Sequence, residues 1–358
     1  MTLHIIPIEP IEERYSAQWL TWFDRALSDH PIIPVELRAY EPYGFLETGE
    51  TTQIQRGQFL DVVNTNAYKA KQLQILCKAI NDHTIKDGDT LLFLDGWFPG
   101  LEMLAYIRDG MKLNIKIVGM FHAGTYDPND FLTQCGMQAW GSPLENAWFA
   151  IYDQVIVATN YHKYLMTNLR RIDPNKIKVI KFPIYDYINL DIKKINQIVF
   201  PHRLAPEKKP ELCAFVKTML HDKLPSSYSL VITKDCYTNK ETYYKELAKS
   251  KFAISFALQE TYGLAILESV LHGCYPIVPN DLAYKELYPD DFKFEVDLNE
   301  IVTVNNMFEI IKKILQNENI YNDLRNHLRN QILNWNQSAI PNIVNSALGI
   351  YHASITPP

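Results

Sequence analysis

The sequence is most informative first in what it lacks. No apolar run approaches the roughly 20 residues that a membrane-spanning helix needs, so no membrane insertion is expected. The opening "MTLHIIPIEP" has neither a basic stretch nor a long apolar one, and reads as a first strand, not a signal peptide. Cysteine is sparse: five residues, at 77, 135, 213, 236 and 274, with no C-x-x-C pair. An odd, scattered set excludes a disulfide framework or a zinc knuckle and points to a reducing cytoplasm. The ten histidines have no metal-ligand spacing. Basic excess is also missing. A net charge of -6 argues against an extended nucleic-acid surface. A local exception is the stretch 168–181, with Arg170, Arg171, Lys176, Lys178 and Lys181. It reads either as a basic groove or, more simply, as a solvated helix end and strand. There is no internal repeat and no low-complexity segment.

What is there is a chain of 358 residues, 47% apolar and 21% charged, suited to two globular domains. Short apolar runs alternate with helical patterns. Strands are expected at 3–8, 35–40, 90–95, 115–121, 154–159 and 177–183, with helices between them such as 66–80 and 161–170. Runs like "TLLFL" are apolar on both faces, as in the centre of a helix-covered parallel sheet. A polar stretch at 184–196 reads as a linker. The alternation then restarts, with strands at 197–202, 228–233, 252–257 and 275–279 and helices from about 208, 240 and 263. The tail is helical and amphipathic from Asn305, with a last helix after Pro341. The expected fold class is α/β, with two doubly wound Rossmann-like domains facing across a cleft: residues 1–186, residues 187–334, and a C-terminal helix at 335–358 returning to the first domain.

Ligands of such sheets bind beyond the carboxyl ends of the strands. After "QIVFPH" come Arg203 and Lys208, on a loop leading into a helix. A planar fork and a point charge at a helix N-terminus suit a diphosphate. Lys208 and Lys209 could equally be surface charges on a helix start. After "FAISFA" comes "LQETYGLAILES", with Glu260 in the loop, Gly263 permitting close backbone approach, and Glu268 one to two turns into the next helix. Both carboxylates can then serve one ligand. Apolar neighbours of Glu268 argue against an ordinary surface acid.

Glu260 to Glu268, with "YGL" inside it, resembles the E-x(7)-E signature of retaining GT-B glycosyltransferases of the group 1 family, and Arg203 with Lys208 resembles their R-x(4)-K pair. The resemblance covers residues 195–300 most strongly. It implies that Glu268 holds the ribose of a nucleotide-sugar donor, Glu260 contacts the sugar, Arg203 and Lys208 hold the diphosphate, and the amides of Tyr262, Gly263 and Leu264 hold phosphate and sugar. It implies transfer with retention and no metal: the cations stabilise the leaving diphosphate, and the acceptor hydroxyl attacks from the same face. The donor expected from it is a UDP-sugar. Two features depart from the family pattern. Thr261 replaces the usual glycine after the first glutamate, and "IPIEPIEERYSAQW" stands where an N-terminal Gly-Gly loop is usual.

A second, looser resemblance is carried by "IEPIEERYSAQW" and "FHAGTYDPNDF". They look like a divergent set of bacteriophage-encoded members, for which a hydroxymethylated pyrimidine in DNA is a plausible acceptor. A carbohydrate, lipid-linked or small-molecule acceptor and a non-catalytic nucleotide-sugar binding module are the alternatives. The family resemblance places His122 near the donor sugar; a core histidine is the bland reading. Asp95 could bind an acceptor hydroxyl or cap the helix starting near Pro99. Trp97, Phe98 and Tyr126 could stack on an acceptor or be buried. The segment Glu13-Arg14-Tyr15 is a further candidate for the acceptor side.

Overall fold

The computed structural model describes residues 2–9, 16–29, 40–42, 61–184, 190–236 and 239–350. The chain divides into two compact units, one running to Pro183 and resuming at Gln337, the other comprising Ile184–Asn336. The first unit is built on a parallel sheet of β1 (Leu3–Ile6), β2 (Tyr40–Pro42), β3 (Thr90–Phe93), β4 (Lys116–Met120), β5 (Gln154–Val157) and β6 (Ile177–Val179), in the order β2-β1-β3-β4-β5-β6. The second has β7 (Ile195–Phe200), β8 (Ser229–Ile232), β9 (Ser250–Ile254), β10 (Tyr275–Pro279) and β11 (Lys293–Phe294), in the order β11-β10-β9-β7-β8, again all parallel.

Burial explains the sequence of the central strands. Every residue of β3, β5 and β10 is buried, because helices cover both faces and no position faces water. Several helices start where a side chain satisfies the first amides. Asp61 accepts from Val63 and Asn64 ahead of Val62–Asn81, and Asn239 forms a capping box with Thr242 ahead of Lys240–Lys249.

Four sequence expectations need correction. Strand β7 begins at Ile195, inside the stretch expected to be linker. β11 was not expected; it has two residues and no periodicity to read. The tail becomes helical at Glu300, ahead of Asn305. Pro341 does not start a helix but lies inside Glu318–Leu348. Proline in a helix interior costs about 3 kcal/mol. Here Ala339, Ile340, Ile343, Val344 and Ala347 are all buried around it, and that packing offsets the lost hydrogen bond. Lys116 Nζ, at the start of β4, donates to the Ala347 carbonyl at 2.7 Å and fixes the end of the same helix. Most of the expected strand 35–40 and the segment Glu13-Arg14-Tyr15 fall outside the described residues.

In each sheet the strand order reverses once, between β1 and β3 and between β7 and β9. Loops leaving the carboxyl ends of those two strands diverge to opposite faces, which opens a crevice.

Candidate functional site

The crevice at β7 and β9 gathers the basic and acidic residues singled out above. Beyond Phe200 the chain runs through His202 and Arg203 into a single 3-10 turn, Pro206–Lys208, with proline at its start. The turn directs Lys208 inward, where its side chain is buried. Its ammonium donates to the Gln259 carbonyl and pairs with Glu260 Oε2 at 3.1 Å. The Leu258 amide donates to the Glu207 carbonyl at 2.8 Å, so the two loops are stitched through backbone as well. Arg203 is 31% exposed, and its guanidinium is held by Glu207 Oε1 through Nε at 3.0 Å and through Nη2.

Gly263 makes the turn from loop to helix. Its φ of +81° lies in the left-handed region, and a Cβ there would stand 3.0 Å from the Tyr284 ring and 3.4 Å from Glu260 Cγ. Its amide donates to Glu260 Oε1 at 2.9 Å. Burial pushes the Glu260 carboxyl up, but the Lys208 charge and the hydrogen bonds from Lys208 and Gly263 outweigh it and hold the group below the usual carboxylate range. Tyr262 is buried beside it, and Leu264 opens the helix Leu264–Leu271.

Glu268 lies on that helix and is buried. It does not share partners with Glu260. Its carboxylate accepts from Tyr243 at 2.9 Å, Tyr244 at 3.2 Å and Lys240 at 3.3 Å, all from the helix Lys240–Lys249. The sequence reading missed these three partners, along with Glu207 and Gln259. The signal available was spacing: positions 240, 243 and 244 share one helix face.

The first-unit candidates meet a different environment. Asp95 lies after β3 and does not cap the following helix, whose N-cap is Gly100, with no side-chain cap bond. It accepts from the Trp97 amide at 3.1 Å and pairs with Lys69 at 2.6 Å, and Lys69 also donates to the Trp97 carbonyl. Trp97 donates its indole N–H to Glu145 at 3.1 Å and meets Trp140 and Trp148 edge-on. Phe98 is core.

His122, after β4, donates from Nε2 to the Leu94 carbonyl at 2.8 Å, which fixes its tautomer, and packs against Trp19 and Phe182. Tyr126 is buried under the loop, with its hydroxyl 2.5 Å from His162 Nε2, so its ring serves the core and is not presented for stacking. Glu145, fully buried, accepts from the Thr125 amide and hydroxyl, the Trp97 indole and Arg170. Arg170, from the basic stretch, is thus a buried partner, and Lys176 donates to the carbonyls of Phe149, Ala150 and Tyr152. Both are structural.

Among the described residues no group of three or more His, Cys, Asp or Glu is arranged to hold a metal ion, and no helix is long and apolar enough to cross a membrane.

No protein-family model matches the chain. A tRNA-queuosine alpha-mannosyltransferase from Drosophila melanogaster is 30% identical over 125 residues, which cover 29% of this chain and 33% of that protein. The match therefore spans about a third of the curated relative's length. Sucrose-phosphate synthase from Thermosynechococcus elongatus superposes with a TM-score of 0.63 at 13% identity, covering 98% of both chains. The catalytic domain of starch synthase IV from Arabidopsis thaliana, bound to ADP and acarbose, gives a TM-score of 0.62 at 12% identity, covering 97% of this chain and 99% of that one. Together with the two parallel sheets, these likenesses show that the chain has the GT-B fold.

Proposed function

We propose that the protein is a retaining glycosyltransferase whose second unit binds a nucleoside-diphosphate sugar. The observation that carries this reading is the convergence of Arg203, Lys208, Glu260 and the Gly263 amide at the β7/β9 switch point, with Glu268 on the helix that follows. An anion entering this crevice meets two cations, Arg203 beside Glu207 and Lys208 beside Glu260 and the Gln259 carbonyl. Its diphosphate competes with Glu207 for Arg203 and with Glu260 for Lys208. Glu268, in a polar pocket built by Lys240, Tyr243 and Tyr244, offers a carboxylate to the ribose hydroxyls. Glu260 contacts the sugar.

In the transfer, the bond from the sugar's anomeric carbon to the diphosphate oxygen breaks, and a bond to the acceptor oxygen forms. Negative charge grows on the diphosphate, where Arg203 and Lys208 meet it. The acceptor proton passes to a phosphate oxygen of the leaving group. The protein's own cations perform the charge stabilisation, so no metal is required. An ADP-bound structural neighbour sets ADP beside the UDP expected from the sequence, and the nucleotide stays open.

The first unit we assign to the acceptor, with Asp95 and Trp97 as contacts and His122 close to the reacting sugar. A nucleic-acid acceptor is favoured. The hydroxymethylated pyrimidine suggested by the sequence and the tRNA nucleoside in the relative's name are both nucleic-acid groups. The test is a mass-shift assay pairing UDP-, GDP- and ADP-sugars with hydroxymethylated DNA, tRNA and oligosaccharides. A sugar-sized mass gain that disappears in Arg203→Ala is expected. Neither transfer nor donor hydrolysis with any donor would leave a binding module as the surviving account.

A further inference from the structure

His202 ends the run "IVFPH" and directly precedes Arg203. Only 4% of the residue is exposed, its ring lies edge-on to Phe200 at 5.1 Å, and its Nε2 has no hydrogen-bond partner among the described residues. Buried polar nitrogens are nearly always paired, because desolvating one without a partner is unfavourable; an exception marks a position that something else completes. The charged groups acting on this ring are Lys208, Glu260 and Arg203, the same groups that define the crevice. Burial first, and then the Lys208 charge, lower its pKa from about 6.5 to about 3, so the ring is neutral at physiological pH. A neutral imidazole can stand beside two cations without repelling them and still present an N–H donor. The ligand chemistry that such a donor and two cations share is anionic oxygen.

Resting on the nucleotide-sugar reading above, we propose that His202 is a further donor-site residue, its Nε2–H hydrogen-bonding a diphosphate oxygen alongside Arg203 and Lys208. A neutral donor strengthens the grip on the diphosphate without adding a third buried charge, which would need its own counter-ion. A base-stacking role fits less well. The ring is buried against Phe200, and the polar pocket around Glu268 draws its side chains from another helix.

The test uses the full chain and two variants. His202→Phe keeps an aromatic ring and removes the N–H; His202→Asn keeps a polar group in a smaller side chain. UDP, GDP and ADP are titrated calorimetrically into each protein, and the nucleoside of whichever base binds is titrated by NMR. The expected result is a loss of about tenfold or more in nucleoside-diphosphate affinity for His202→Phe, with nucleoside affinity unchanged. In the wild-type protein, labelled with 15N-histidine, the His202 Nε2 resonance should move on adding the diphosphate and not the nucleoside, a readout that holds even if a variant fails to fold. Wild-type diphosphate affinity in folded His202→Phe, an equal loss for nucleoside and diphosphate, or an unmoved Nε2 resonance would overturn the assignment. If diphosphate binding depends on Arg203 but not on His202, this inference alone fails. If no nucleoside diphosphate binds the wild type, the functional reading fails first.

Discussion

The two sheets share one topology, yet the polar groups at their switch points are organised oppositely. In the second unit Arg203 is held by Glu207, Lys208 by Glu260 and backbone, and Lys240 by Glu268. Arg203 and Lys240 keep 31% and 21% side-chain exposure. In the first unit Glu145 is wholly buried and accepts from Thr125, Trp97 and Arg170 at once, tying together the loops after β3 and β4. The first arrangement can exchange a carboxylate for another anion at Arg203, which is partly exposed and has a counter-ion in either state, while the buried Lys208 must meet the anion as Glu260 gives way. The second cannot, since opening it strands a buried charge. One cluster suits ligand exchange; the other holds loops in place.

Breaking the rigid cluster should have the largest effect. Glu145→Ala removes the acceptor of several buried donors and leaves Arg170 without its carboxylate. We expect a loss of about 3–5 kcal/mol in stability by denaturant unfolding. A loss under about 1 kcal/mol, the scale of an exposed ion pair, would remove the contrast between the units.

Arg203→Ala should leave stability nearly unchanged but lower the turnover rate about 10²-fold or more, because its charge matters most as the diphosphate departs. Arg203→Lys should rescue only in part, since a point charge cannot reproduce the fork. A variant that raises only the Michaelis constant would contradict the leaving-group role. Glu268→Ala should weaken nucleotide binding by about 1–3 kcal/mol, read by calorimetry on the free nucleotide.

The last effect is read in acid and needs no mutation. Burial pushes His162 in the first unit, and His202 and His272 in the second, from about 6.5 to about 3. Their folded pKa values are depressed, so the unfolded chain binds more protons between those limits. The stability these neutral rings allow is fully present above about pH 6.5 and declines as pH falls towards 3. Glu260, also depressed, adds a contribution lost below the ordinary carboxylate range. The unfolding midpoint should therefore drop steadily between pH 7 and 4, and His272→Gln should flatten that drop. A midpoint constant over the range would show that these rings are not held neutral.

Much of the fold was legible because burial leaves a mark in sequence. β3, β5 and β10 are apolar at nearly every position since both their faces are covered, and two doubly wound α/β domains follow from strand–helix alternation on either side of a polar stretch. β11 was not legible, because two residues carry no pattern, nor was the course of the chain through Pro341, which depends on buried neighbours on both sides of it. In the site, the meeting of Arg203, Lys208 and Glu260 follows from their places just after strands. Their partners are set by tertiary packing. Nothing local in "KETYYKEL" says that Lys240, Tyr243 and Tyr244 face Glu268, and nothing local in "DGWFPG" says that Asp95 turns to Lys69 rather than to the helix after it.

The central claim is that the exchangeable cluster at the β7/β9 switch point is a nucleoside-diphosphate site. Calorimetric titration of UDP, GDP and ADP into the wild type, Arg203→Ala and Glu268→Ala tests it without needing the acceptor. The account predicts that at least one of the three binds the wild type, in the presence of EDTA as well as Mg²⁺, and that both substitutions weaken it while Glu145→Gln, in the other unit, does not. Failure of all three nucleotides to bind, or wild-type affinity in folded Arg203→Ala and Glu268→Ala, would contradict it.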